Sequence, residues 1–297
     1  MTQETVKQNS SSSIGGKVRD YMALIKFSLS FMVVFSAVIS YLIALDSWYW
    51  LGAVEFFIAG MLVTGSANAV NQIVEKDTDA LMKRTAKRPI PSGRMTAAEG
   101  WAFAIITLSV GLIMLATFFN ILSAAVALVS WFIYAFMYTP LKKVSSMAVL
   151  LGAVPGALPC LIGWAAGADN LGIGGWVLFA IQFFWQFPHF WAIAWISHKD
   201  YSTAGFKLLP STEGPGKFSA IQSIVYSLVL IPIGILPYLA KISGMMSLWI
   251  IFAANLFMVW QSIRLYREME AKAARRVMFS SYIYLPVVYL AMLADKL

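Results

Sequence analysis

Asn71, Glu75 and Asp79 recur at four-residue intervals. On a helix this spacing puts all three within an arc of about 80° on one face. One amide and two carboxylates turned the same way make an oxygen-rich site. Such a site suits a hard divalent cation, above all Mg2+, which keeps some of its waters and bridges to a phosphate. Asp77 falls on another face and reads as a solvated or paired bystander. Basic residues follow at once in Lys83-Arg84-Thr85-Ala86-Lys87-Arg88-Pro89. Arg84 and Arg88 are again four apart, and guanidinium groups grip phosphate oxygens in bidentate fashion. A carboxylate face followed by arginines is what a metal-bridged diphosphate needs. The competing reading is a ladder of ordinary salt bridges at a polar surface. Asn71 argues against it, because an amide on the same stripe adds nothing to such a ladder.

Three other segments carry polar groups. In His198-Lys199-Asp200-Tyr201, Asp200 could supply a further metal ligand and Lys199 a phosphate contact; the alternative is a solvated loop. In Tyr138-Thr139-Pro140-Leu141-Lys142-Lys143, Lys142 is a candidate diphosphate contact or else a topological anchor. His189 stands inside the apolar string Phe187-Pro188-His189-Phe190-Trp191. Its ring could ligate a metal or haem iron or move a proton; otherwise it is a buried histidine bonded to a neighbouring helix. Cys160 is the one cysteine, so the chain has no intramolecular disulfide, and it reads as a small buried thiol. No HExxH, CxxC or GxGxxG pattern occurs.

The elements that position these residues follow from composition. The 297 residues are 60% hydrophobic and only 12% charged, with a mean hydropathy of +0.73. A soluble domain carries about 25% charged residues. The apolar residues come in long uncharged runs, and a run of about 18 or more crosses a bilayer as a helix. Nine spans are expected, at 27–45, 50–70, 102–119, 121–138, 147–166, 174–196, 219–239, 247–263 and 277–294. The charge-free stretch from Ala102 to Tyr138 is too long for one span and is split at Asn120 as a tight hairpin. The fold class is therefore an all-α polytopic membrane protein. Residues 1–20, polar and with the serine run Ser10 to Ser13, are expected to be a disordered tail without a cleavable signal. Residues 21–297 form a single transmembrane domain.

Alternating sides with each span puts 20 of the 22 basic residues on one side, with Lys241 and Lys296 opposite. The positive-inside bias then predicts a cytoplasmic N-terminus and a C-terminus on the opposite side. The net charge of +8 is mostly topological. A nucleic-acid partner is disfavoured, since the basic residues lie in short loops between spans.

The NxxxExxxD spacing of Asn71, Glu75 and Asp79 resembles the first acidic motif of the UbiA-type intramembrane prenyltransferases. The longer string from Asn71 to Pro89 is similar to the protohaem IX farnesyltransferases (haem O synthases) within that superfamily. There Glu holds the middle position and an MxRTxxRP pattern follows, here Met82, Arg84, Thr85, Arg88 and Pro89. Tyr138 to Lys142, Gly156 to Pro159, Gly163-Trp164, Pro188 to Trp191, Asp200-Tyr201, Ala204-Gly205, Ser280, Tyr284 and Leu285 extend the likeness over residues 21–295. Three places depart from it: Lys26-Phe27-Ser28 stands where Lys-Pro-Arg is usual, Lys199 stands where Asp is common, and the Asn expected near Ala148 is absent.

The resemblance implies nine helices around a cytoplasm-facing cavity in the cell (inner) membrane. It implies Mg2+-dependent transfer of farnesyl from farnesyl diphosphate to a vinyl group of haem b, with addition of water. A haem A synthase or terminal oxidase is then expected downstream. The rival readings are a prenyltransferase acting on an aromatic quinone precursor, and a transporter or non-catalytic haem-binding membrane protein. A transporter would show polar, broken helices at the midplane. Here the carboxylates stand at one end of a span beside arginines.

Overall fold

The computed structural model describes residues 14–142, 144–211 and 213–297. Among them nine helices are long and apolar enough to cross a membrane. They comprise α2 (Phe27–Ala44), α3 (Trp50–Val74), α5 (Ala97–Phe118), α6 (Ile121–Phe132), α8 (Met147–Ala168), α9 (Ile173–Ile196), α11 (Lys217–Ile233), α13 (Met245–Glu268) and α14 (Ala271–Ala294). Shorter pieces are α1 (Ile14–Leu24), α4 (Lys76–Ala80), α7 (Thr139–Leu141), α10 (His198–Thr203) and α12 (Leu236–Leu239). A π-helical turn, Ile133–Tyr138, joins α6 to α7 within one span. Each long helix packs on the next, and α14 returns to α2, so the nine close a ring.

All nine expected spans are present. Several helices overrun the apolar limits at their charged ends, as α13 does to Glu268. Hydropathy ends where the first charges appear, but the backbone ladder continues into the polar zone. The hairpin at Asn120 is real and has a physical cause. The Asn120 side chain accepts from Ser123 N at 2.8 Å, capping α6. Its amide also donates to Ala165 O at 2.8 Å, which ties the turn to α8. Of the expected tail, residues 1–13 lie outside the described residues. Residues 14–20, by contrast, are helical: they open α1, where buried Asp20 accepts from Arg94 Nε at 2.9 Å. That partner lies 74 residues on, so local polarity gave no hint of order.

Within the ring, α8 is the close-packing helix. Gly163 and Gly167 are one GxxxG step apart and let α2 approach at backbone distance. A Cβ on Gly163 would lie 2.0 Å from Ala37 O, and one on Gly167 2.9 Å from Tyr41 O. Cys160 is buried beside them, its Sγ 2.9 Å from the Tyr289 hydroxyl. At the end of the ring away from the acidic residues, Lys296 donates to the carbonyls of Leu42 and Leu45, fastening the C-terminus onto α2.

Candidate active site

The helix carrying the three oxygen ligands breaks at Glu75, which ends α3 and leads into α4. The register survives the break. Glu75 N bonds Asn71 O at 3.0 Å and Asp79 N bonds Glu75 O at 2.7 Å, so the three side chains stay on one face. All three are buried, whereas Asp77 is exposed.

Each is met by a cation from another part of the chain. Lys26 Nζ donates to Asn71 Oδ1 at 2.6 Å. Lys142 Nζ donates to Glu75 Oε1 at 3.0 Å. Arg88 Nη1 donates to Asp79 Oδ2 at 2.6 Å. Three cations therefore face two carboxylates, and the set favours an added anion. Lys142 is further held over the Tyr138 ring, 4.4 Å from its centroid. Thr139 completes the wall by accepting from Asn71 Nδ2 at 3.4 Å. It sits where the π-helical turn ends, a distortion often found at functional sites.

The basic segment after α4 folds back along this face, and each residue of its pattern has a visible task. Met82 is buried against Ala204 and Phe206. Thr85 Oγ1 donates to Asp79 O at 2.7 Å. Arg84 is exposed, its Nη2 3.4 Å from the Tyr201 hydroxyl. Arg88 takes the Asp79 carboxylate, and Pro89 O accepts from Met95 N at 3.1 Å.

Of the nine residues expected at the site, the structure gathers Asn71, Glu75, Asp79, Arg88 and Lys142, with Arg84 at the rim. Lys199 and Asp200 stand on α10 beside Tyr201. Their side chains have no hydrogen-bond or ion-pair partner among the described residues, and α10 joins the site through Tyr201 instead. His189 lies on α9, bonded to Ser281 of α14 at 2.7 Å. Lys26 is the residue that sequence reasoning missed. It occupies a left-handed conformation, φ 49°, between α1 and α2. Its one sequence signal is a lysine placed directly before an apolar run. A groove of about 440 Å³ along Arg19, Met22, Lys26 and Phe27 reaches this lysine.

No three His, Cys, Asp or Glu side chains converge as a metal cage among the described residues. The donor chemistry nonetheless fits Mg2+. That ion is typically bound through one or two carboxylates together with substrate phosphate oxygens and waters. Asn71, Glu75 and Asp79 offer such a set, with cations beside them to take the phosphate.

Fold and site together define an intramembrane prenyltransferase. The UbiA prenyltransferase family model matches residues 33–284, and the chain belongs to that family. Curated relatives narrow the position. The chain is similar to the protoheme IX farnesyltransferase of Cytophaga hutchinsonii, 44% identical over 93% of this chain and 97% of that one. It is similar also to the protoheme IX farnesyltransferase of Flavobacterium johnsoniae, 37% identical over 93% and 94%. Among solved structures, a digeranylgeranylglyceryl phosphate synthase superposes with a TM-score of 0.77 at 22% identity, covering 94% of this chain and 98% of that one. A UbiA homologue from Archaeoglobus fulgidus bound to DMAPP and Mg2+ gives 0.72 at 15% identity, covering 92% and 99%.

Proposed function

We propose that the protein transfers the farnesyl group of farnesyl diphosphate to a vinyl group of haem b, with addition of water, giving haem O. The observation that carries this reading is the meeting of Asn71, Glu75 and Asp79 with Lys26, Lys142 and Arg88 at one end of the helix ring. The haem acceptor is supported by the curated relatives, which are protoheme IX farnesyltransferases along nearly their whole length.

Asn71, Glu75 and Asp79 would hold Mg2+, with half-buried Asp200 free to add a carboxylate from α10. Mg2+ supplies positive charge that stabilises the departing diphosphate. Lys142 and Arg88 turn from their carboxylates to the phosphate oxygens, while Arg84 and Lys199 bind at the rim. Fixed cations of this kind act where charge develops. The C1–O bond of the farnesyl diphosphate breaks, and its electron pair leaves with the diphosphate. The vinyl π electrons form the new bond to C1. The cation left beside the porphyrin takes water and releases a proton. Apolar walls keep water from C1 before the vinyl group arrives.

The charged face lies toward the cytoplasm of the cell (inner) membrane, as the basic loops support, and a cavity opens there. His189 faces the haem. Haem O passes to a haem A synthase or a terminal oxidase. The deciding experiment incubates the purified protein with haem b, farnesyl diphosphate and Mg2+, then weighs the porphyrin by mass spectrometry. Haem gaining a farnesyl group and a hydroxyl is expected. Unchanged haem, with prenylation of an aromatic quinone precursor in a parallel incubation, overturns the assignment.

A further inference from the structure

α9 docks onto α14 through Ser281. Trp185 Nε1 donates to the Ser281 carbonyl at 3.0 Å. One turn later, His189 Nδ1 lies 2.7 Å from Ser281 Oγ. The Trp185 and His189 rings stack, with centroids 4.8 Å apart and planes within 16°. The serine hydroxyl has a single hydrogen. That hydrogen is committed elsewhere, because Ser281 Oγ donates to Met278 O at 2.6 Å. Toward His189 the hydroxyl is therefore an acceptor. Nδ1 carries the imidazole proton, and Nε2 keeps its lone pair.

Nε2 has no hydrogen-bond partner among the described residues. The side-chain atoms that are both sealed and unpartnered are Gln72 Oε1, Gln182 Oε1, Ser219 Oγ and Gln261 Oε1. Nε2 is not one of these sealed atoms, and its lone pair is left without a partner among the described residues. The surroundings are flat and aromatic, with Tyr282 at 5.2 Å and Phe190 at 5.5 Å between ring centroids.

We propose that His189 Nε2 is the axial ligand of the haem iron, and that Ser281 is the positioning residue that fixes its tautomer. The proposal rests on haem being the acceptor. Histidines that bind metal through one nitrogen donate from the other to a fixed partner, which sets ring orientation and basicity. The Ser281 hydroxyl, itself anchored to Met278, is that partner here. Ligation tethers the porphyrin, and the aromatic rings flank it.

The test uses the purified full-length protein in nanodiscs with haem b and no farnesyl diphosphate. Absorption spectra and the iron–histidine stretch of the ferrous complex are recorded. His189→Ala should shift the Soret band, and added imidazole should restore it. His189→Gln, which can still bond Ser281, should show the same loss if the alanine variant folds poorly. Ser281→Ala should keep haem but lower the iron–histidine stretching frequency, and Ser281→Thr should restore it. A wild-type spectrum in both His189 variants overturns the ligand. An unshifted stretch in Ser281→Ala overturns the positioning role. The acceptor reading fails separately: wild-type protein that neither binds haem nor farnesylates it removes both, whereas turnover with unchanged His189 spectra removes the ligand alone.

Discussion

Arg88 Nη1 stands 2.6 Å from Asp79 Oδ2, and the aspartate side chain is only 1% exposed. A charge in that position cannot lose its partner cheaply. Arg88→Ala should destabilise the protein by about 3–5 kcal/mol, the usual cost of orphaning one member of a buried pair. Thermal unfolding in detergent should show a clearly lowered midpoint with unchanged secondary structure at low temperature. An unchanged midpoint would mean that Asp79 is solvated in the folded state.

Arg84 offers the contrast. It is exposed and, among the described residues, its side chain bonds Tyr201 alone, so Arg84→Ala should leave the melting midpoint in place. KM for farnesyl diphosphate should rise about tenfold, equivalent to roughly 1.4 kcal/mol, while haem binding stays as in wild type. Weaker haem binding with unchanged KM would refute a role at the diphosphate.

Glu75→Gln keeps the shape of the side chain but removes the charge facing Lys142. Turnover should drop by about 100-fold or more, the scale seen when one preorganised electrostatic group is lost. The Mg2+ concentration for half-maximal activity should rise. Wild-type rates across a Mg2+ titration would eliminate the metal site.

Lys26 brings a pH dependence. It lies between α1 and α2, outside the spans, and burial lowers its ammonium from 10.5 to about 7, with Arg88 and Lys142 adding to the shift. The folded value is below the unfolded one, so between pH 7 and 10.5 the unfolded chain binds more protons. Stability from this group therefore rises with pH across that window, is lost as pH falls to about 7, and changes no further below it. Compared with Lys26→Met, the wild type should be at its greatest disadvantage near neutrality and recover toward pH 10.5. Pyrophosphate affinity should run the other way, falling as pH rises through about 7. Calorimetry on both proteins separates this from the titration of pyrophosphate, which is common to the pair. Parallel pH profiles would remove Lys26 from the site.

Gly163→Ala tests the seam between α2 and α8. The new methyl would meet the Ala37 carbonyl at 2.0 Å, a backbone atom that cannot rotate away. Overpacking of this kind costs about 1–3 kcal/mol, so the melting midpoint should fall. An unaffected midpoint would show that the seam can open.

The membrane spans were legible because each is a long apolar run, and Asn120 because a lone amide in such a run asks for a partner. Asn71, Glu75 and Asp79 were legible because helical periodicity is local. Which cation meets which of them was not, although Arg88 and Lys142 stood out as candidate diphosphate contacts. Lys26 looks like an ordinary flanking lysine in the sequence, and only the ring closure sets it and Lys142 against Asn71 and Glu75. The same limit explains Asp200. Its neighbour Tyr201 makes the contact to Arg84, while the Asp200 side chain has no hydrogen-bond or ion-pair partner among the described residues. His189 fell between two readings: Nδ1 is bonded to a neighbouring helix, and Nε2 has no hydrogen-bond partner among the described residues.

The pairing of Glu75 with Lys142 also sets an order of events during synthesis. The two residues are 67 positions apart. At roughly 5–20 residues per second the ribosome needs about 3–13 s to bridge that interval. Throughout it Glu75 lacks the lysine it pairs with, and two further spans must be threaded before Lys142 emerges. A carboxylate in the middle of a span would have to wait in hydrocarbon. At the end of α3 it can wait in water. Placement at the end of α3 thus suits the order in which the chain is made.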